Sequence, residues 1–273
     1  MRKSIYLFCQ VFLSHSDERN RELITSFLRN VSNPYIKTII AFYESEEARQ
    51  KYTKILELNL KDQHSLQIEK ILWILKEERL TYSDWLVETN KLPNNSISIL
   101  ANLDVYFDNS IRLLNKIKLT HLDKFFLPIT RHNYHDSELK LNSNPHWCQD
   151  AWVIFKSTSK LPENLIQDTR IELGYPGCDN RISFIFQSYG YWISNPCKFI
   201  CLTHMHASDA RAYHKKKNKS LGIYCFVHPA ESLLSPSILE FELWTLNSTD
   251  IQKIKINEWM TDQKISKDTM LTR

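Results

Sequence analysis

Four short groups of residues in this 273-residue chain combine side chains that do chemistry. The first is Asn102-Leu-Asp104, which follows the apolar, β-prone run Ser96 to Ala101 and continues through Val105-Tyr-Phe107 to Asp108. A buried strand ending in amide and carboxylate groups puts oxygen ligands at a sheet edge, where open α/β sheets bind their ligands. A hard cation that keeps its waters needs only one or two such carboxylates when phosphates supply the rest. The second group is His204-Met-His206. In an extended segment both rings fall on one face, a usual metal-site geometry, with ordinary core histidines as the alternative. The third is Gly174-Tyr-Pro-Gly177-Cys-Asp179-Asn-Arg181, which uses two of the chain's four glycines. A tight turn there delivers Asp179 to a helix start, as an N-cap, as a general base, or as both. The fourth is Arg79 with Tyr82 just before the central strand. The guanidinium suits a phosphate or carboxylate, and the ring a stacked base; a surface helix cap is the competing reading.

The elements that must position these groups alternate. Ile5 to Leu13 reads as a buried strand, Arg19 to Arg29 as a helix with Leu23, Ile24, Phe27 and Leu28 on one face, and Tyr35 to Tyr43 as a second strand ending at Glu44. Glu46 to Tyr52 is predicted helical, His64 to Trp73 a third strand, and Tyr82 to Asn90 a helix before the strand Ser96 to Ala101. This alternation predicts an α/β sheet with parallel pairing, and it places Gln10 and Glu44 together at the carboxyl edge. Asp108 reads as the N-cap of a helix through Ile111, Leu114 and Ile117, which leaves Asp104 as the better metal candidate. Phe125 to Arg131 is a further strand, the stretch from His132 to Pro145 a loop, and Asp150 stands just before a strand-like run to Phe155. Lys198 to Leu202 is expected as a strand that ends in the histidine pair. Ile223 to Val227 and a hairpin of Leu239–Leu246 with Ile251–Ile256 follow, then a polar tail from Thr261 to Arg273.

Composition narrows the functional classes. The mixed charge and 42% hydrophobic content predict a folded chain. Four glycines are too few for phosphate-cradling Gly-rich loops, so metal and basic side chains must neutralise any phosphate. The net charge of +4 is mild, and its densest run, Lys215 to Lys219, reads first as a solvated loop. Six scattered cysteines without a CxxC pair predict a reduced, cytoplasmic chain. Cys197-x3-Cys201-x2-His204-x-His206 matches none of the usual structural-zinc spacings. No run of eighteen apolar residues occurs, so no transmembrane helix is expected, and the amino-terminal segment reads as a first strand.

In order and spacing, these segments resemble the GT-A glycosyltransferases from about Ile5 to Tyr213. They are also similar to a little-characterised group of them with motifs of the type Asn-x-Asp-x-Tyr-Phe, Gln-Asp-x-Trp, Gly-Cys-Asp-Asn and His-x-His. These stand here as Asn102-Leu-Asp-Val-Tyr-Phe107, Gln149-Asp-Ala-Trp152, Gly177-Cys-Asp-Asn180 and His204-Met-His206. The arrangement is similar to that of the beta-1,4-galactosyltransferases, where a metal-binding Asp ends a strand, a Gly-Gly-Glu-Asp turn carries the base, and a later His completes the metal shell. The resemblance implies a GT-A-like (Rossmann-like) open, mostly parallel mixed sheet with helices on both faces. It implies Asp104 with His204 or His206 as ligands to Mn²⁺ or Mg²⁺, and Asp179 as catalytic base. On the donor side it implies Gln10, Glu44, Arg79, Tyr82 and Asn102, and on the acceptor side Asp150, Trp152, Asn180 and Arg181. Asn102 replaces the first Asp of the usual Asp-x-Asp, and Cys178-Asp179 replaces the Glu-Asp pair, leaving one carboxylate in the turn.

The implied activity is metal-dependent, inverting transfer of a sugar from a nucleotide-sugar donor to an acceptor hydroxyl on a glycan, lipid-linked or protein acceptor, of the kind used in polysaccharide biosynthesis. A Lewis acid stabilises the departing diphosphate, and a carboxylate takes the hydroxyl's proton. Residues 1–228 form the expected transferase domain and 229–273 an extension, with at most peripheral membrane contact. Two rivals stand beside this reading. One is a GT-A-fold protein that binds nucleotide sugar or glycan without turnover, supported by Asn102 and the missing second acid. The other, ranked last, is a nucleic-acid-binding protein using Lys215 to Lys219 with Tyr213 and Tyr224.

Overall fold

A computed structural model describes residues 3–59, 68–117, 124–135, 138–205, 222–247 and 250–256. In chain order the elements begin with β1 (Ser4–Val11), α1 (Asp17–Ser32), β2 (Ile36–Tyr43), α2 (Glu46–Asn59), β3 (Ile71–Leu75), α3 (Tyr82–Thr89) and β4 (Ser96–Ala101). After β5 (Val105–Phe107) and a 3₁₀ segment Asn109–Lys116 come β6 (Phe125–Thr130), β7 (His132–His135) and β8 (Glu138–Leu141). A 3₁₀ turn, Pro145–Trp147, leads into β9 (Gln149–Lys156), then α4 (Glu163–Asp168), α5 (Cys178–Ser188), β10 (Trp192–Ile193) and β11 (Leu202–His204). The last strands are β12 (Gly222–Val227), β13 (Leu239–Asn247) and β14 (Asp250–Ile256).

Seven strands form the main sheet in the order β10-β6-β9-β4-β1-β2-β3. β1 pairs parallel with both β2 and β4, β2 with β3, and β6 with β10; β9 alone runs antiparallel, between β4 and β6. The architecture is therefore the expected open, mostly parallel mixed α/β sheet. Its strands are apolar on both sides, as a sheet covered by helices on both faces requires. Ile5, Leu7, Ile97 and Ile99 pack with Leu23, Phe27, Tyr52 and Ile111 on one face. Tyr6, Phe8, Leu100 and Trp152 pack with Trp85, Leu165, Ile182 and Phe186 on the other. Ser98 lies in the second layer without an exposed surface, and its hydroxyl is satisfied there, taking the indole N–H of Trp85 (2.8 Å) and bonding Thr89 Oγ1 (2.6 Å).

The strand order reverses between β1 and β4. The carboxyl ends of β1, β2, β3, β4 and β6 and the start of β9 meet along one edge, the place where open α/β sheets bind ligands. Two smaller sheets flank this edge, β5-β11-β7-β8 and β12-β13-β14. Among the described residues no helix is long and apolar enough to cross a membrane.

Several boundaries differ from the sequence reading, each through a long-range contact. α1 runs to Ser32, three residues past Arg29, because its last turn carries buried amides. Asn30 Nδ2 donates to Val105 O (2.8 Å), Asn30 Oδ1 accepts from Phe107 N (3.1 Å), and Asn33 Nδ2 donates to Phe107 O (3.0 Å), so the helix supplies partners to the short β5. β3 starts at Ile71, well after His64, and residues 60–67 lie outside the described residues. Lys70 is held before the strand, with Nζ donating to Val31 O and Asn33 O at the end of α1 (2.7 Å each). His132–His135 is a strand and not a loop, paired with β8 and touching Thr203 of β11. The expected strand Lys198 to Leu202 is replaced by a turn in which Phe199 N and Ile200 N both donate to Pro196 O (2.9 Å), leaving Leu202–His204 extended. Asp108 caps the 3₁₀ segment, its Oδ1 accepting from Ser110 N (2.8 Å).

Candidate active site

A cleft of about 1510 Å³ lies along the carboxyl edge of the main sheet. Gln10, Glu44, Arg79, Asn102, Asp104, Asp150, Trp152, Asp179, Asn180 and His204 all line it, so ten of the residues singled out from sequence meet in one place. Tyr82 and Arg181 do not. Tyr82 is fully buried, edge-on to Trp152 at 4.9 Å with its hydroxyl directed to Cys178 Sγ (3.5 Å). Arg181 donates to Ile223 O (2.9 Å) and lies 5.3 Å from the centre of the Phe184 ring. His206, Lys215 to Lys219 and Tyr213 lie outside the described residues.

One end of the cleft is built by the small sheet. β11 pairs antiparallel with β5, His204 opposite Val105, and Met205 N donates to Asp104 O (2.8 Å). This register brings together two side chains a hundred residues apart, His204 Nε2 and Asp104 Oδ2, at 3.3 Å. Asn133 of β7 presents its Oδ1 to His204 Nδ1 at 3.0 Å, which orients the ring with Nε2 toward the carboxylate. Ligands in adjacent octahedral positions, each ~2.1 Å from Mg²⁺ or Mn²⁺, stand roughly 3 Å apart, so this spacing fits one divalent ion. Among the described residues no third His, Cys, Asp or Glu joins the pair, so an ion held here would need water and phosphate oxygens to complete its shell. Arg19 of α1 also bonds Asp104 Oδ2, and its Nη1 donates to Glu22 Oε2 (2.8 Å) and Met205 O (3.1 Å).

The other end carries Asp179. The N-cap of α5 is Gly177, in the left-handed conformation (φ +87°) with no side-chain cap, so Asp179 sits within the first turn and not at the cap. A Cβ on Gly177 would lie 2.4 Å from Tyr224 Cε1, so the turn needs glycine for space as well as for φ. Asp179 Oδ2 accepts from Gln149 N (3.1 Å). Burial, and secondarily the charge of Asp150, push the Asp179 carboxyl up to about 7. A helix start favours the ionised carboxylate; burial outweighs that local field here. Asp150 is held by Arg131 Nη1, 3.0 Å from Oδ2 and 3.2 Å from Oδ1, and by Asn102 Nδ2 (2.8 Å). The Arg131 guanidinium lies above its ordinary range, chiefly because Asp150 is beside it.

The nucleotide side expected from sequence is more fully engaged in structure. Gln10 uses both ends of its amide, Nε2 to Glu78 O and Oε1 from Leu80 N (2.9 Å each), to hold the segment after β3. Glu44 accepts from Leu13 N (3.3 Å), and burial raises its carboxyl. Arg79 donates to Leu173 O (3.1 Å) and stacks over Tyr175 at 4.7 Å, bracing the glycine turn. Trp152 has no exposed surface, and its Nε1 has no partner among the described residues.

Arg19, Glu22, Arg131 and Asn133 received no site role from the sequence, and Gln149 entered only as part of the Gln-Asp-x-Trp motif. From sequence Arg19 and Glu22 fall simply within the helix Arg19 to Arg29, and Arg131 at a strand end; no local pattern marks them. Their signal is the fold, which returns β11 and β9 beside them.

No protein-family model matches the chain, and no curated protein does. Among solved structures it is similar to a mannosyltransferase from Pyrobaculum calidifontis in complex with GDP-Man and Mn²⁺, at 11% identity and a TM-score of 0.45, over 78% of this chain and 59% of that one. It is similar to S. aureus TarS in complex with UDP-GlcNAc at 9% identity and a TM-score of 0.45, over 80% and 62%. It is also similar to 4-diphosphocytidyl-2C-methyl-D-erythritol synthase from Anaerococcus prevotii, at 13% identity and a TM-score of 0.40, over 68% and 83%. The chain thus spans about three fifths of the mannosyltransferase and TarS chains.

Proposed function

We propose that this protein is a glycosyltransferase that moves a sugar from a nucleotide-sugar donor to an acceptor hydroxyl with inversion. The observation that supports this reading best is the placement of the Asp104–His204 pair and of Asp179 in one cleft at the carboxyl edge of the sheet. Asp104 and His204 would hold Mn²⁺ or Mg²⁺, which when bound supplies Lewis-acid stabilisation of the donor diphosphate. Arg19 and Arg79 add positive charge near the same edge. Asp179 takes the proton of the acceptor hydroxyl as that oxygen bonds the anomeric carbon. The bond from the anomeric carbon to the diphosphate oxygen breaks, and its electron pair leaves with the nucleoside diphosphate. A carboxyl that titrates near 7 is matched to that proton transfer. Asp150, clamped by Arg131 and Asn102, positions this end of the cleft and tunes Asp179 through its charge.

The test is a titration with UDP-, GDP- and CMP-sugars with and without Mn²⁺, followed by donor hydrolysis. Turnover supports the transferase. Binding without turnover supports the degenerate binder, which the Arg19 contact to Asp104 favours. No binding of any nucleotide sugar overturns both.

A further inference from the structure

Two of the four acceptor residues implied by resemblance offer a ligand little: Trp152 is wholly buried and Arg181 is spent on Ile223 O. Another tryptophan is not. Trp147 is 46% exposed, lines the cleft, and backs onto Phe226 with ring centres 5.0 Å apart. Its backbone is anchored, which separates it from an ordinary surface aromatic. Trp147 N donates to Asn144 O (3.1 Å), Asn180 Nδ2 donates to His146 O (3.2 Å), and Gln149 Nε2 donates to Pro145 O (3.1 Å). Asn180 follows Asp179 directly, and Gln149 N bonds Asp179 Oδ2, so the ring is tied from both sides to the proposed base. Gln149 is 2% exposed, lines the cleft, and its Oε1 has no partner among the described residues. A buried amide oxygen left without a donor is unfavourable, and a ligand hydroxyl that displaces its cover would relieve it.

We infer that Trp147 and Gln149 form an acceptor subsite for a pyranose ring beside Asp179, so that the acceptor is a carbohydrate. The inference rests on the glycosyltransferase reading for the role of the site, but not for its chemistry. A pyranose has an apolar C–H face and a rim of hydroxyls. An anchored indole face next to an amide oxygen and a carboxylate complements both. A lipid-linked phosphate would call for free cationic partners; among the described residues His146, Gln149, Asn180 and Asp179 flank the ring, and Arg131 of the same cleft is engaged by Asp150. Burial, and then the neighbouring His228 stacked at 4.5 Å, lowers the His146 imidazole from its ordinary range, which disfavours a cation there.

Saturation-transfer NMR with methyl glucoside, galactoside, mannoside and N-acetylglucosaminide tests this on the whole chain. Wild type is expected to bind at least one pyranoside through its C–H face. W147A weakens that binding about tenfold, W147F restores most of it, and W192A, at an exposed tryptophan on the far strand β10, leaves it unchanged. Pyranosides that do not bind wild type, or that bind W147A equally, overturn the subsite, as does an equal loss in W192A. Nucleotide-sugar hydrolysis by wild type is scored separately. Trp147-dependent sugar binding without any hydrolysis supports the subsite and refutes the transferase.

Discussion

Asp179→Asn separates the stability of this fold from its chemistry. The carboxyl is buried and lies at about 7, against 3.8 for the unperturbed group. Because the folded value is raised, the folded chain holds its proton after the unfolded chain has lost it. The protonated group's contribution is fully present below about pH 4, falls as pH rises through the interval, and is gone above about 7. At ~1.4 kcal/mol per pKa unit, the three-unit gap corresponds to roughly 4 kcal/mol of destabilisation in wild type at pH 8. The asparagine variant escapes that penalty, keeps an oxygen for Gln149 N, and loses about 1 kcal/mol from its imperfectly satisfied amide. The difference in unfolding free energy, variant minus wild type, should therefore grow by about 2–3 kcal/mol between pH 5 and pH 8. Urea denaturation of both proteins at the two pH values measures it. The same variant should transfer sugar on the order of a hundredfold more slowly. A stability difference that does not change with pH, or that turns against the variant as pH rises, refutes the reasoning.

For wild type, transfer kcat/KM should rise tenfold per pH unit below about 7 and level above it, since only ionised Asp179 accepts the acceptor proton; a profile flat from pH 5 to 8 assigns the base elsewhere. Asp104→Asn should abolish Mn²⁺-promoted nucleotide binding in calorimetry. It should also lower stability by about 2 kcal/mol, because buried Arg19 loses one of two carboxylates but keeps Glu22; unaltered metal and nucleotide binding would place the ion at another site. Gly177→Ala should lose about 3 kcal/mol or more in thermal unfolding. The left-handed φ costs an L-residue ~1–2 kcal/mol, and the new methyl meets Tyr224, itself buried and stacked on Trp244 at 4.1 Å; a melting temperature equal to wild type would mean the turn relaxes.

Sequence alone determined what local periodicity and edge chemistry encode. The apolar runs Ile5 to Val11 and Ser96 to Ala101 are legible as buried strands because parallel strands covered on both faces must be apolar throughout. Thr81 and Asp84 form the capping box of α3, close to the start read from sequence, since the signal spans four residues. Gln10 near the end of β1 and the acids and amides just after β2 and β4 fall at one edge because these parallel strands point the same way. Tertiary structure decided what depends on residues far apart in sequence. The direction of β9, which turns Gln149 and Asp150 toward the carboxyl edge, follows from its pairing with β4 and β6. The Asp104–His204 approach spans a hundred residues, and Arg19 reaches Asp104 across 85. The Asp179 case is sharpest. Its local sequence places a carboxylate in the positive field of a helix start, whereas burial beneath β9 and the charge of Asp150 reverse the sign of the shift. Desolvation is a property of everything packed around a group, and no short window of sequence contains it.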